Sequence, residues 1–168
     1  MTNMKFYMKQ KALSFVDKFK IYDERENEAY WVEGELFSIG KKLDIFDKDN
    51  NHKAHIHQKV LSFLPRFFIK INGEDVAEVV KHITLFKQKF TVTGYDWDVE
   101  GDFLAHEYEI YHGDYTIATI SKEWFTWGDA YSVDIADGVD PVPIISVVLI
   151  IDAILAQNNA KVSFVIGS

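Results

Sequence analysis

The feature that most restricts the fold of this chain is the stretch from Pro141 to Gln157. Between Pro143 and Ala156 almost every position is apolar, and Asp152 is the one charged residue. Asp140 suits an N-cap and Pro141 the first helical position, where the missing N–H is no loss. The many β-branched residues suit a strand, but about 16 residues is too long for one. The segment therefore reads as a helix over about 141–157. Asn158-Asn159 is expected to end it, and Val162–Ile166 to form a short last strand. A helix that is apolar all round is enclosed by protein or crosses a membrane. Fourteen residues rise about 21 Å against a hydrocarbon core of about 30 Å. A carboxylate at mid-bilayer adds a cost of roughly 2.5–3.5 kcal/mol. No Lys/Arg cluster flanks the segment. The expectation is a helix inside the protein, not membrane-spanning, with Ile144, Val148, Ile151 and Leu155 in its core.

What encloses it is written upstream. Phe19 and Ile21 alternate with Lys18 and Lys20, Leu43 and Ile45 with Lys42 and Asp44, and Phe90 and Val92 with Thr91 and Thr93; Tyr131, Val133 and Ile135 alternate with Ser132 and Asp134. Period two puts each set on its own face, the mark of half-buried antiparallel strands. Asp47–Asn51 is a polar loop, and Asn72-Gly73 and His112-Gly113-Asp114 are hairpin signals. A sheet that wraps a helix on all sides is a closed barrel. The chain before Pro141 has room for roughly eleven strands of typical length. One mainly β domain over residues 1–168 follows, since no linker or low-complexity tract divides the chain.

Composition narrows the function. Hydrophobic residues at 48% and charged ones at 26% are too apolar a mixture for a disordered chain. With no cysteine there is no disulfide, thiol nucleophile or thiolate metal site, which fits a cytoplasmic location. The first residues lack the apolar core of a secretory signal. A net charge of −8 argues against nucleic acid as a partner. The charge is uneven, however. Residues 1–89 carry 16 basic and 13 acidic side chains, and residues 90–168 carry two and 13. A basic face on the N-terminal half is one consequence; evenly solvated charge is the simpler one.

Three segments resemble the LURP-one-related family: Phe37–Leu43 (FSIGKKL), Gly94–Phe103 (GYDWDVEGDF) and Ile120–Tyr131 (ISKEWFTWGDAY). Their order and the apolar C-terminal helix after them match across nearly the whole chain. The resemblance implies a tubby C-terminal-like fold, a closed antiparallel barrel of about twelve strands around a central helix, shared with phospholipid scramblases. It implies little about activity, because family members mostly lack an assigned one. Tubby domains bind phosphoinositides through a Lys-x-Arg patch, which this chain lacks. Its nearest counterparts are the pairs Lys9/Lys11, Lys18/Lys20 and Lys87/Lys89, the candidate lipid-binding residues.

Other chemistry is weighed against plain structure. His52, His55 and His57 cluster, and His55 and His57 share a strand face as zinc ligands do, but a third ligand at fixed spacing is missing. Asp96, Asp98, Glu100 and Asp102 share one parity and suit Ca²⁺, while Gly94 and Gly101 suggest turns that would splay them. Asp47-x-Asp49-x-Asn51 opens like an EF-hand loop, but His52 and Gln58 stand where Gly and Glu belong. Trp124–Tyr131 reads as a buried barrel corner before a stacking site. Asp152 reads as an acid bonded to backbone or water near a barrel mouth before a general base. Hydrolase, P-loop, dinucleotide and zinc-protease signatures are absent. The expectation is a non-catalytic binding or scaffold protein without a cofactor. The alternatives are peripheral binding of anionic phospholipid or phosphoinositide by a basic face, and a metal-dependent hydrolase.

Overall fold

The computed structural model describes residues 3–9, 18–35, 40–83, 87–125 and 128–167. Lys11, Phe37–Ile39, Thr126 and Trp127 lie outside them. The strands are β1 (Met4–Lys9), β2 (Lys18–Asp23), β3 (Glu28–Glu35), β4 (Lys42–Asp47), β5 (His52–Gln58) and β6 (Arg66–Ile71), then β7 (Glu74–Ile83), β8 (Gln88–Thr93), β9 (Trp97–Asp102), β10 (Glu107–His112), β11 (Tyr115–Phe125) and β12 (Gly128–Ile135). Helix α1 (Pro141–Ile166) follows. Each strand pairs antiparallel with its sequence neighbours, and β1 pairs with β12 from Met4↔Ile135 to Lys9↔Ala130. That pairing closes the barrel.

Alternation sets which side chains enter the lumen. Phe19 and Ile21, Leu43 and Ile45, Phe90 and Val92, and Val133 and Ile135 are all buried. They join Ile144, Val148, Ile151 and Leu155 of α1 in one core cluster. Val142 and every residue from Ile144 to Leu155 are buried, so the helix has no exposed face along this length. The Asp140 carboxylate accepts the Val142 N–H at 3.0 Å, which is the N-cap the sequence announces. In the β6–β7 hairpin both Asn72 and Gly73 take positive φ (52° and 82°), as a two-residue turn matched to strand twist requires.

Two expectations about the helix need correction. It does not stop at Asn158-Asn159, and no strand forms at Val162–Ile166; the helix continues to Ile166. The asparagines do not adopt the left-handed conformation that a stop uses. A thirteenth strand would also find no free edge on a closed sheet. The helix is therefore longer than the length argument assumed, and Pro141–Asn159 is long and apolar enough to cross a membrane by length and composition. Its apolar surface is occupied instead by the barrel, with 78% of the stretch buried.

The meander gives the barrel two distinct ends. At the entry end lie the β2–β3, β4–β5, β6–β7, β8–β9 and β10–β11 turns and the start of α1. At the exit end lie the remaining connections, and there the helix emerges. The Gln157 amide donates to the Gln58 side chain at 2.9 Å, tying α1 to the end of β5.

A chain ended at Asp140 is expected to be insoluble or unfolded. Each buried Ile, Val or Leu contributes about 1.5–3 kcal/mol, and the helix supplies ten of them against a net stability of about 5–15 kcal/mol. Ile150→Asp should cost several kcal/mol through an unpaired buried carboxylate. Solubility and thermal unfolding of both lengths decide this: a well-folded 1–140 fragment would contradict the enclosed helix.

Candidate functional site

Near the exit end, α1 brings a carboxylate into the apolar interior. One oxygen of Asp152 lies 3.1 Å from His106 Nε2, and the other accepts the Tyr131 hydroxyl hydrogen. Tyr131 is also 3.1 Å from Met8 Sδ, and its ring stacks on His106 with centroids 4.5 Å apart. Four elements meet here: β1, the β9–β10 turn, β12 and α1. His106 reaches inward because it sits in that turn at φ 55°. Burial and the nearby Asp152 charge hold the phenols of Tyr131 and Tyr108 well above the ordinary tyrosine range. At the next residue of α1, Lys41 donates to the Ala153 carbonyl at 3.2 Å, and burial lowers its pKa. The partners of Asp152 are thus side chains, where backbone or water was expected. The cluster is packed under the barrel wall, and it pins the helix at a fixed height.

Among the described residues the candidate lysines do not gather. Lys18 and Lys20 point outward from β2, where Lys18 pairs with Glu33 at 3.2 Å and Lys20 with Glu28. Lys89 pairs with Asp98 at 3.1 Å and Glu100 at 3.2 Å. β2 and β8 stand on opposite sides of the barrel, separated by five strands either way round. Lys9 ends β1 and Lys87 precedes β8.

The metal candidates are also engaged. His52 and His55 both bond Asp44, at 2.7 and 2.9 Å. His57 stacks between His55 and Phe68, and burial lowers its pKa. Asp96 sits in a turn at φ 56°, and Asp102 accepts the Ala105 N–H at 3.0 Å. Gly101 lies between them in sequence at φ 141°, where a Cβ would come within 2.6 Å of the Tyr108 backbone. Among the described residues, no three His, Cys, Asp or Glu side chains gather as a metal site requires. The Asp47 carboxylate is used locally: it accepts the N–H groups of Asp49 and Asn51, both at 2.9 Å. Trp124 departs from the buried corner expected of it. It is largely exposed, with the Lys122 ammonium 4.4 Å from its ring.

An open cleft of about 1060 Å³ runs along the outer wall over β8–β11, lined in part by Lys89, Glu100, Phe103, Leu104, Glu107 and Tyr111. Its charges are of both signs.

The sequence model described as LURP-one-related matches residues 4–152. The uncharacterised protein YxjI of Bacillus subtilis (strain 168) is 38% identical over 161 residues, spanning 96% of this chain and 99% of that one. A crystal structure of an Arabidopsis thaliana protein superposes with a TM-score of 0.65 over 91% of each chain at 18% identity, a likeness of fold.

Tyr131→Phe strips Asp152 of a donor and should cost about 1–3 kcal/mol. Tyr108, whose buried hydroxyl has no side-chain or backbone partner, should tolerate Phe with no loss. Because both phenols are raised in the folded state, their contribution is complete below about pH 10 and fades as pH climbs past that unfolded-state value. Denaturant unfolding across alkaline pH is expected to show a shallower decline in the double Phe variant. A Tyr108→Phe loss equal to that of Tyr131→Phe would contradict this assignment.

Proposed function

The chain belongs to the LURP-one-related family, and we propose from that premise that it works by binding at its outer surface and not by catalysis. The observation that carries this reading is the filled lumen. A barrel of this size ordinarily offers its interior to a ligand, and here the chain's own helix occupies it. A substrate would have to use the outer wall, where the cleft over β8–β11 has its Lys89 and Glu100 charges already paired with each other. The buried Asp152 group supports a structural role, since its two partners, His106 and Tyr131, take up both carboxylate oxygens inside the wall. The absence of cysteine supports a cytoplasmic setting.

A second reading, peripheral binding of anionic phospholipid or phosphoinositide, is favoured by a different observation. Charge is separated along the barrel axis as well as between the halves of the sequence. Among the described connecting residues, those at the exit end include Lys59 and Lys87 beside the buried Lys41 and no carboxylate, while those at the entry end carry seven acidic and two basic side chains.

Metal analysis of protein purified without chelator tests the reading against the metal-dependent hydrolase. The expected result is no ion at one per chain, with His55→Ala and Asp98→Ala changing nothing. One Zn²⁺ or Ca²⁺ per chain, lost in either variant, would restore the hydrolase and overturn the binding reading.

A further inference from the structure

We infer that the exit end of the barrel is a docking rim for an anionic phospholipid bilayer; this rests on the binding reading above and gives it a partner. The observation is where the large apolar side chains stand in solvent. Of the eight found exposed among the described residues, seven lie at the exit end, and Tyr115 alone is at the other. Leu61 and Phe63 tip the β5–β6 connection, Ile83 ends β7, Leu104 tips the β9–β10 turn, Trp124 is next to the end of β11, and Ile166 ends the helix. Five independent segments thus present an apolar tip at the same end.

Two of these residues are not required there by folding. Leu61 is 98% exposed and Phe63 102%, so neither packs on anything. Leu61 also holds φ 63°, a conformation that asparagine or glycine adopts more readily than leucine. A solvated turn with that backbone gains nothing from leucine. An unfavourable residue at a loop tip points to a use outside the fold.

The arrangement also selects the kind of partner. A protein interface needs a contiguous, complementary patch, on the order of 800 Å² on each side. Here the exposed tips come from five different segments of the chain. A bilayer is soft and takes up such points one by one, and Trp with Lys is the pairing that settles at its interface. Lys122 over the Trp124 ring supplies that pairing on β11. The nearby carboxylates are engaged: Asp102 by the Ala105 N–H, Glu107 by the Lys122 N–H and Glu123 by Lys5. Exposed Lys59 lies beside the Leu61 and Phe63 tips. The acidic turns of the entry end would be repelled by an anionic surface, so charge fixes which end approaches.

Sedimentation of the full chain with phosphatidylcholine vesicles, with and without 30 mol% phosphatidylserine (about a third of the lipid, to give the negative surface potential of a cytoplasmic leaflet), tests the assignment. Binding to the mixed vesicles is expected, weakening as salt rises because exposed charges are screened. The double variant Leu61→Asn/Phe63→Ser should reduce it by roughly tenfold or more. Its thermal midpoint should not fall, because neither side chain packs. Tyr115→Ser, at the other end, should bind like the parent. Absence of binding, or equal binding by the double variant, overturns the membrane assignment. So does a self-association that the same double variant disperses without any vesicle binding, which would give the rim to a second copy of the chain. Either failure leaves outer-surface binding standing, since that reading is overturned by the metal result instead.

Discussion

Everything in this molecule depends on a space that water cannot be allowed to fill. Twelve strands close into a barrel too wide for its own inward side chains to meet across the axis, and one helix supplies the missing volume. The dependence is mutual. The helix is buried on every side from Ile144 to Leu155 and would expose a wholly apolar surface without the strands, while the strands would enclose a void without the helix. Neither part is a stable intermediate on its own terms, so the sheet must close around a segment that is made last.

Closure then decides what else the chain can do. A filled lumen takes away the usual binding cavity, and continuous pairing removes the strand edges through which sheets recruit peptides. Two ends and an outer wall remain. Polar groups inside serve position instead of chemistry. The Asp152 carboxylate, held by His106 from one turn and Tyr131 from β12, fixes how far the helix slides along the axis. An apolar helix in an apolar tube has little else to set that height, because burial is indifferent to small translations. A directional bond to a lone buried acid supplies the register.

The architecture was legible because it follows from local periodicity. Alternation at Phe19/Ile21 and at Phe90/Val92, the turn residues Asn72-Gly73 and the cap at Asp140 each specify their own neighbourhood, and the helix demanded enclosure. The end of the helix was not legible. Asn158-Asn159 looks like a stop, and Val162–Ile166 has strand composition, but a closed sheet offers that segment nothing to pair with. The partners of Asp152 were hidden for a different reason: His106 and Tyr131 lie 46 and 21 residues away, and only closure brings them together. Of the lysine pairs, parity within a strand shows the residues but not the carboxylates on the strand beside it, such as Glu33 paired with Lys18 and Glu28 with Lys20.

The run Val60–Pro65 shows the same limit most sharply. Val-Leu-Ser-Phe-Leu-Pro reads as core by composition, and the core had no vacancy. Once strands β5 and β6 have delivered Ile56, Phe67 and Ile69 to the lumen, the connection between them lies beyond the mouth. Leu61 and Phe63 are left in water because the interior is complete without them. In an antiparallel meander all connections of one parity meet at one end, so an apolar bias in alternate loops becomes a property of a single surface. The acidic loops take the opposite parity and the opposite end. The axial polarity of the barrel is thus written into the sequence as an alternation between successive turns, and it becomes visible only when the strand order is known.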